Sequence, residues 1–341
     1  MNVNYAVEMT TNLLSIPSPT GFTHNVTDYL LSTLTAMGYE PVRNRKGSVS
    51  CCIGEEGRPL ALAAHVDTLG LMVREIKANG RLSFALLGGP SCQAVETENV
   101  TVITRENKQY TGVVELQNAS VHVNPDLEDT KRDIKTLEIL LDEEVASKED
   151  VEKLGIANGD IVALDPRTRV TESGFIRSRF LDDKLSAGML LELARAVKAG
   201  EVKPARKLTI FFSVYEEVGH GASTGLPQDT EDLLVVDMGC VGEGLSCREQ
   251  QVSICAKDSS GPYDYSMTTE LIQLCKKHGI DYAVDIYPRY GSDAGTALRA
   301  GHDIRYALIG AGVYASHGYE RSHKKGVENT LELIRRYVEL A

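Results

Sequence analysis

Histidine and carboxylate side chains recur in this chain at the ends of apolar runs. They are His65-Val66-Asp67 after PLALAA, Asp182-Asp183 before a helical pattern, Glu216-Glu217 after KLTIFFSVY, Asp237 after EDLLVV, and His317 before GYE. Imidazole nitrogen and carboxylate oxygen are the ligands of borderline divalent cations such as zinc, and a pair of cations sharing one bridging carboxylate uses about five of them. Open α/β sheets place their ligand sites beyond the carboxyl ends of the strands. The number, kinds and placement of these residues point to a two-metal hydrolase.

Each group also has a plainer reading. His65 and Asp67 fall on one face of an extended segment, since strand side chains repeat every two residues. His65 can then bind a metal while Asp67 accepts its other ring N–H, or it can be a strand-end histidine bonded to a turn. Asp182 or Asp183 can cap the helix that follows, leaving the other to bridge two metals. Glu216 and Glu217 reach one site only if the chain is already turning, which Gly219 and Gly221 allow; one would ligate a metal and the other act as general base. Asp237 and His317 are weak alone. His323 rivals His317, and His122, His220 and His302 have no comparable context. Gly291-Ser292-Asp293-Ala294-Gly295-Thr296 reads as a tight turn into a helix whose N–H groups can meet a substrate carbonyl or carboxylate, and it lacks the spacing of a phosphate loop.

The elements that must carry these groups are legible as periodic patterns. Residues 4–15 and 24–38 have apolar side chains at helical spacing, parted by Ile16-Pro17-Ser18-Pro19. Residues 47–53 and 59–66 read as strands, the second apolar enough to be buried on both faces. From about residue 70 to 170 the texture changes to short half-buried strands, LMVREIKA, RLSFALLG, NVTVITR, QYTGVVEL and GDIVALD, with a polar segment at 124–136 and a helix SKEDVEKLG capped by Ser147. Beyond residue 178, helices are expected at 183–199, 263–278, 293–300 and 327–340, and strands at 207–215, 233–238, 251–257, 281–287 and 304–309. This is an α/β pattern: a mixed, mostly parallel sheet covered by helices, interrupted by a small inserted β domain. The expected division is 1–69 with 171–341 for the α/β domain and 70–170 for the insert.

Composition narrows the partners. A chain of 341 residues exceeds the size at which one core usually stops growing. A net charge of -12 and a pI near 5.2 argue against nucleic acid and against an anionic membrane surface. Seven cysteines without a C-x-x-C suit free thiols in a reducing compartment better than disulfides or thiolate-bound zinc. With neither a signal-like leader nor a long apolar stretch, a soluble cytoplasmic protein is expected.

Taken in order, these residues resemble the M42 family of metallo-aminopeptidases, in the clan of dizinc exopeptidases that includes M20 and M28. The resemblance extends to Leu87-Gly88-Gly89-Pro90, Asn99-Val100-Thr101-Val102, Gly112-Val113-Val114, His122 and Ser147-Lys148-Glu149-Asp150 in the inserted domain. It implies two divalent metal ions, zinc or alternatively cobalt. His65 and Asp237 would be ligands of one and Glu217 and His317 of the other, with Asp182 bridging, Glu216 as general base and Asp67 orienting His65. It also implies short peptides as substrates and a homo-oligomer, dimer to dodecamer, built through the inserted domain. In this chain His220 replaces an apolar residue usual after Glu-Glu-Val-Gly, and Gly-Tyr-Glu follows His317. The expected activity is removal of N-terminal residues from short peptides. The alternatives are a carboxypeptidase or N-acyl-amino-acid deacylase of the same clan, with Arg289 or Arg299 as carboxylate anchor, and a non-catalytic peptide-binding shell protein.

Overall fold

The strands Pro59–His65, Lys207–Ser213 and Asp232–Val236 are buried along almost their whole length, as their apolar sequences demand. In the computed structural model, which describes residues 1–340, they lie side by side and parallel at the centre of a 13-stranded sheet. The order along its main path is Val42–Arg43, Val49–Gly54, Lys207–Ser213, Pro59–His65, Asp232–Val236, Arg305–Tyr314, Glu320–His323, Phe175–Ser178, Arg169–Val170. The sheet is mixed, as expected. The four strands from Lys207–Ser213 to Arg305–Tyr314 run parallel, while Val49–Gly54 on one side and Glu320–His323 and Phe175–Ser178 on the other pair antiparallel.

Parallel register brings the strand ends level: Ser213 pairs with His65, and Val236 with Ile309. His65, Glu216 and Asp237 therefore leave the sheet along the same carboxyl edge. The opposite edge is locked by charge. Asp232, fully buried, takes Arg206 at 2.5 Å, Arg305 at 2.7 Å and Arg58 at 3.1 Å.

The helix Leu181–Lys198 is buried nearly all round. Val3–Leu14 packs on it so closely that a Cβ at Gly188 would overlap Thr10 Oγ1. Lys184, also buried, reaches across to donate to the carbonyls of Leu13 and Ile16 at 2.8 and 2.7 Å. Burial pushes its ammonium down to about 7 against the opposing pull of Asp67.

Two expected boundaries move. The strand expected at 304–309 runs to Tyr314, straight through Gly310-Ala311-Gly312. These glycines are close-approach positions: a Cβ at Gly310 would overlap the Asp237 carbonyl, and one at Gly312 the Arg248 carbonyl. The last helix starts at Lys324, capped by His323, whose Nδ1 accepts from Lys325 N–H at 3.0 Å.

Contacts divide the chain into two units, Met1–Asp67 with the chain from Arg167 onward, and Thr68–Pro166. The second is a closed six-stranded barrel in the order Gly70–Ile76, Leu82–Leu87, Leu137–Leu141, Gln109–Leu116, Asn99–Ile103, Ile161–Leu164. The strand Leu137–Leu141 is additional to those expected from sequence. Its run LEILL is short and lacks period-2 alternation, yet it closes the barrel through Gln109–Leu116 and Leu82–Leu87. Ser147 caps the helix Lys148–Leu154, and Gly155 ends it at φ 88°.

Candidate metal centre

Asp182 lies at the middle of the site. Its Oδ1 is 3.1 Å from His65 Nε2, and its Oδ2 is 3.7 Å from His317 Nε2. Two ligand groups meet there, His65 with Asp182 and Asp237, and Asp182 with Glu217 and His317. In each group the ligand atoms lie within 4.8 Å of one another. His317 Nε2 is 3.6 Å from Glu217 Oε2, and His65 Nε2 is 3.8 Å from Glu216 Oε2.

Sharp turns bring them in. Phe180, Tyr215 and His317 all take left-handed backbone conformations, at φ 65°, 68° and 63°. Such positions cost about 1–3 kcal/mol each for non-glycine residues and persist only where surrounding structure holds them. After Tyr215 the chain enters the short 3₁₀ turn Glu216–Val218, so neighbouring glutamates that a strand would send to opposite faces both reach the cavity. Lys46 fastens the next loop by donating to the carbonyls of His220 and Gly221. Asp182 and Asp183, joined by a cis peptide bond, depart from helical dihedrals. Regular helix therefore begins only after Asp183, whose carboxylate bonds Ser186 three residues on, as a helix cap does. Asp182 faces the cavity, whereas Asp183 Oδ2 accepts the backbone N–H of His65 at 3.2 Å.

Asp67 acts through different atoms from those read in sequence. The nearest partner of His65 Nδ1 is the Asp67 carbonyl at 2.9 Å, with the carboxylate at 3.6 Å. The carboxylate instead accepts from Thr20 Oγ1 at 2.7 Å and from the N–H groups of Glu216 and Glu217 at 3.1 and 3.4 Å. It thus pins the turn that aims both glutamates. Asp293 is likewise structural, accepting from Ala222 N–H at 2.7 Å and from the Ser213 hydroxyl.

In sequence, Glu320 is only the last residue of Gly-Tyr-Glu. It is buried, and its two oxygens accept from Asp182 N–H and His317 N–H, each at 3.1 Å. One carboxylate therefore ties two candidate ligands together by their backbones. The remaining histidines lie elsewhere. His323 caps its helix and bonds Ser173 O, and the His220 ring stacks on Tyr215 at 5.1 Å. Neither His122 nor His302 belongs to the ligand groups found among the described residues.

The electrostatics suit cations. Burial, then the charge of Asp182, pushes the Asp237 carboxyl up to about 7. Glu216 and Glu217 are held well above the usual carboxylate range, chiefly by burial and then by neighbouring acids. The Asp182 carboxyl is instead lowered: burial acts to raise it, but His65 and His317 outweigh that. Although burial opposes it, the His65 imidazole is raised well above its ordinary value by Asp182, Glu216, Asp67 and Asp237. Glu217 Oε1 is buried with no hydrogen-bond partner among the described residues. Oxygen and nitrogen donors converging on two points, with excess negative charge and an orphaned oxygen, fit a pair of divalent ions.

Asp182, Glu216, Glu217, Asp237 and His317 line a cavity of about 260 Å³ whose other walls include Tyr290, Gly291, Ser292, Thr296, Arg289 and Arg299. Ser260 and Thr296 hydroxyls accept from Arg299 at 3.1 and 3.2 Å.

The family model described as M42 glutamyl aminopeptidase matches residues 47–333. A Bacillus subtilis protein named as an aminopeptidase, YhfE, is 44% identical over 340 residues, 99% of this chain and 98% of its own. Among solved structures, a TET aminopeptidase from a marine sediment Thaumarchaeota archaeon superposes with a TM-score of 0.88 at 22% identity, covering 98% of this chain and 96% of its own. The TET1 peptidase of Pyrococcus horikoshii, which assembles into a tetrahedron or a large octahedral shell, gives 0.86 at 20% identity, covering 98% and 99%. The chain belongs to the M42 glutamyl aminopeptidase family and is a hydrolase acting on peptide bonds.

Proposed function

We propose that the chain is a two-metal aminopeptidase that removes residues one at a time from the free N-terminus of short peptides. The observation that carries this reading is Asp182, whose two oxygens face different histidines at the floor of a cavity. His65 and Asp237 would hold one divalent ion, Glu217 and His317 the other, with Asp182 shared; zinc fits this donor set, and cobalt is the alternative. When bound, the ions supply Lewis-acid polarisation of the scissile carbonyl and acidification of the attacking water.

Glu216 is the general base. It accepts the proton of the water and returns it to the leaving amine. Asp67 keeps Glu216 aimed through the backbone N–H, and Glu320 keeps Asp182 and His317 in register. The substrate α-amine sits against the acidic wall. Among the described residues neither Arg289 nor Arg299 is paired with a carboxylate, so both are available to an acidic first side chain. The same pair favours a second reading, a carboxypeptidase or deacylase that anchors a substrate α-carboxylate there.

The barrel unit is assigned to subunit assembly and substrate access in a homo-oligomer, by analogy with the shells of the TET1 neighbour. No helix among the described residues is long and apolar enough to cross a membrane. With its free cysteines, the chain is assigned to the cytoplasm.

Mass spectrometry of a mixed peptide library and its N-acetylated twins, with zinc or cobalt and with chelator, tests the reading. Metal-dependent loss of N-terminal residues from the unblocked set alone is expected. C-terminal trimming or deacylation would replace it with the second reading, and inertness with a peptide-binding role.

A further inference from the structure

Away from the metal centre, the last strands of the large sheet carry a row of like charges. Arg169 stands directly opposite Arg177, and Arg177 directly opposite Arg321. Directly opposed like charges destabilise a ladder, and a chain with 48 acidic against 36 basic residues had ample means to pair them. Only Arg321 in the row is balanced, 3.4 Å from Glu249 and stacked at 4.0 Å on Phe175. Arg169 and Arg177 have no carboxylate partner among the described residues.

With Arg167, Thr168 and Tyr319 they line a recess of about 450 Å³ with no acidic side chain in its lining among the described residues. Tyr319 forms a fixed wall, its hydroxyl donating to Arg167 O at 2.9 Å and its ring 4.3 Å from the Arg167 guanidinium. A preformed set of guanidinium forks is a receptor for oxyanions. In a chain of net charge -12 it is a local point of attraction for a negative group.

Tyr319 is two residues from His317, about 7 Å of chain, and the residue between it and Arg321 is the buried Glu320. In an aminopeptidase the N-terminus occupies the metal cavity, so a recess outside that cavity meets only the part of the peptide beyond the scissile bond. We propose that the Arg169–Arg177 recess is an exosite for carboxylates a few residues downstream of that bond, giving preference to peptides acidic in their interior. The proposal rests on the aminopeptidase reading of the metal centre.

Two alanine-initiated peptides test it, identical except for Asp-Glu or Asn-Gln at the fourth and fifth positions, beside an alanyl anilide that has no downstream residues. Wild type is expected to show a KM several-fold lower for the acidic peptide at equal kcat, a difference erased by high salt. The double variant Arg169→Gln/Arg177→Gln should lose that difference while turning over the anilide as wild type does. Fluorescence anisotropy with the N-acetylated acidic peptide gives a readout without turnover, and the variant should bind it several-fold more weakly.

Equal KM for the two peptides in wild type would overturn the exosite. So would a variant that keeps the KM difference but sediments differently, which would make the row a subunit contact. Competition by millimolar inorganic phosphate without any peptide preference would also overturn it, making the recess a site for the free ion. If the anilide is not turned over at all, the aminopeptidase reading fails by itself, and the anisotropy arm still decides the recess.

Discussion

In the proposed centre, Asp182 is the residue that both halves share. Each of its oxygens faces a separate histidine, so Asp182→Ala should abolish binding at both positions, whereas His317→Ala should lose one ion and retain the other. Metal content by mass spectrometry after desalting reads this directly, and equal loss in both variants would contradict a bridging role. Glu216 has a different signature. If Glu216 is the base as proposed, Glu216→Gln keeps the shape and removes the proton acceptor, so kcat should fall by about 10²–10⁴-fold with metal content unchanged. A variant that loses its metals along with its activity would instead make Glu216 a ligand. The sequence around Glu320 signals no role because its two partners, Asp182 N–H and His317 N–H, are 138 and 3 residues away. A buried carboxylate serving backbone donors leaves no spacing to read.

At the scale of elements, the centre depends on four parallel strands ending level, and the far ends of three of them are fixed by one buried carboxylate. Asp232 begins its strand opposite Leu60 on one side and Arg305 on the other, and it neutralises Arg206, itself 3% exposed. Asp232→Ala would leave that guanidinium buried and uncompensated, a loss of about 3–5 kcal/mol. A denaturant midpoint unchanged from wild type would show that the cluster contributes nothing net. The central strands were readable because burial on both faces writes a continuous apolar run. The passage of Arg305–Tyr314 through Gly310-Ala311-Gly312 was not, since glycines that signal a loop in sequence here admit the backbones of Asp237 and Arg248. Leu137–Leu141 escaped for the opposite reason, a strand too short and too uniformly apolar to show a period.

For the whole molecule, Lys184 links helix docking to pH. Its ammonium is pushed down to about 7 in the folded chain and titrates at the ordinary 10.5 when unfolded. Between these values the unfolded chain holds a proton that the folded chain has lost, so this group makes stability rise with pH across that window; below about 7 the burial of its charge is felt in full. Lys184→Met removes the titration. Denaturant midpoints of wild type should therefore gain on those of the variant from pH 7 to 9.5, and parallel profiles would mean that Lys184 does not titrate there. By itself, the sequence determined the α/β class, the central strands and the kinds of side chain at their ends, because burial and periodicity are properties of contiguous residues. Which aspartate of the pair faces the cavity, which atoms of Asp67 meet His65, that Glu320 joins two segments, and that three arginines form a row were decided only by tertiary structure. Each depends on left-handed turns and cross-strand register, which bring together residues whose separation along the chain carries no signal.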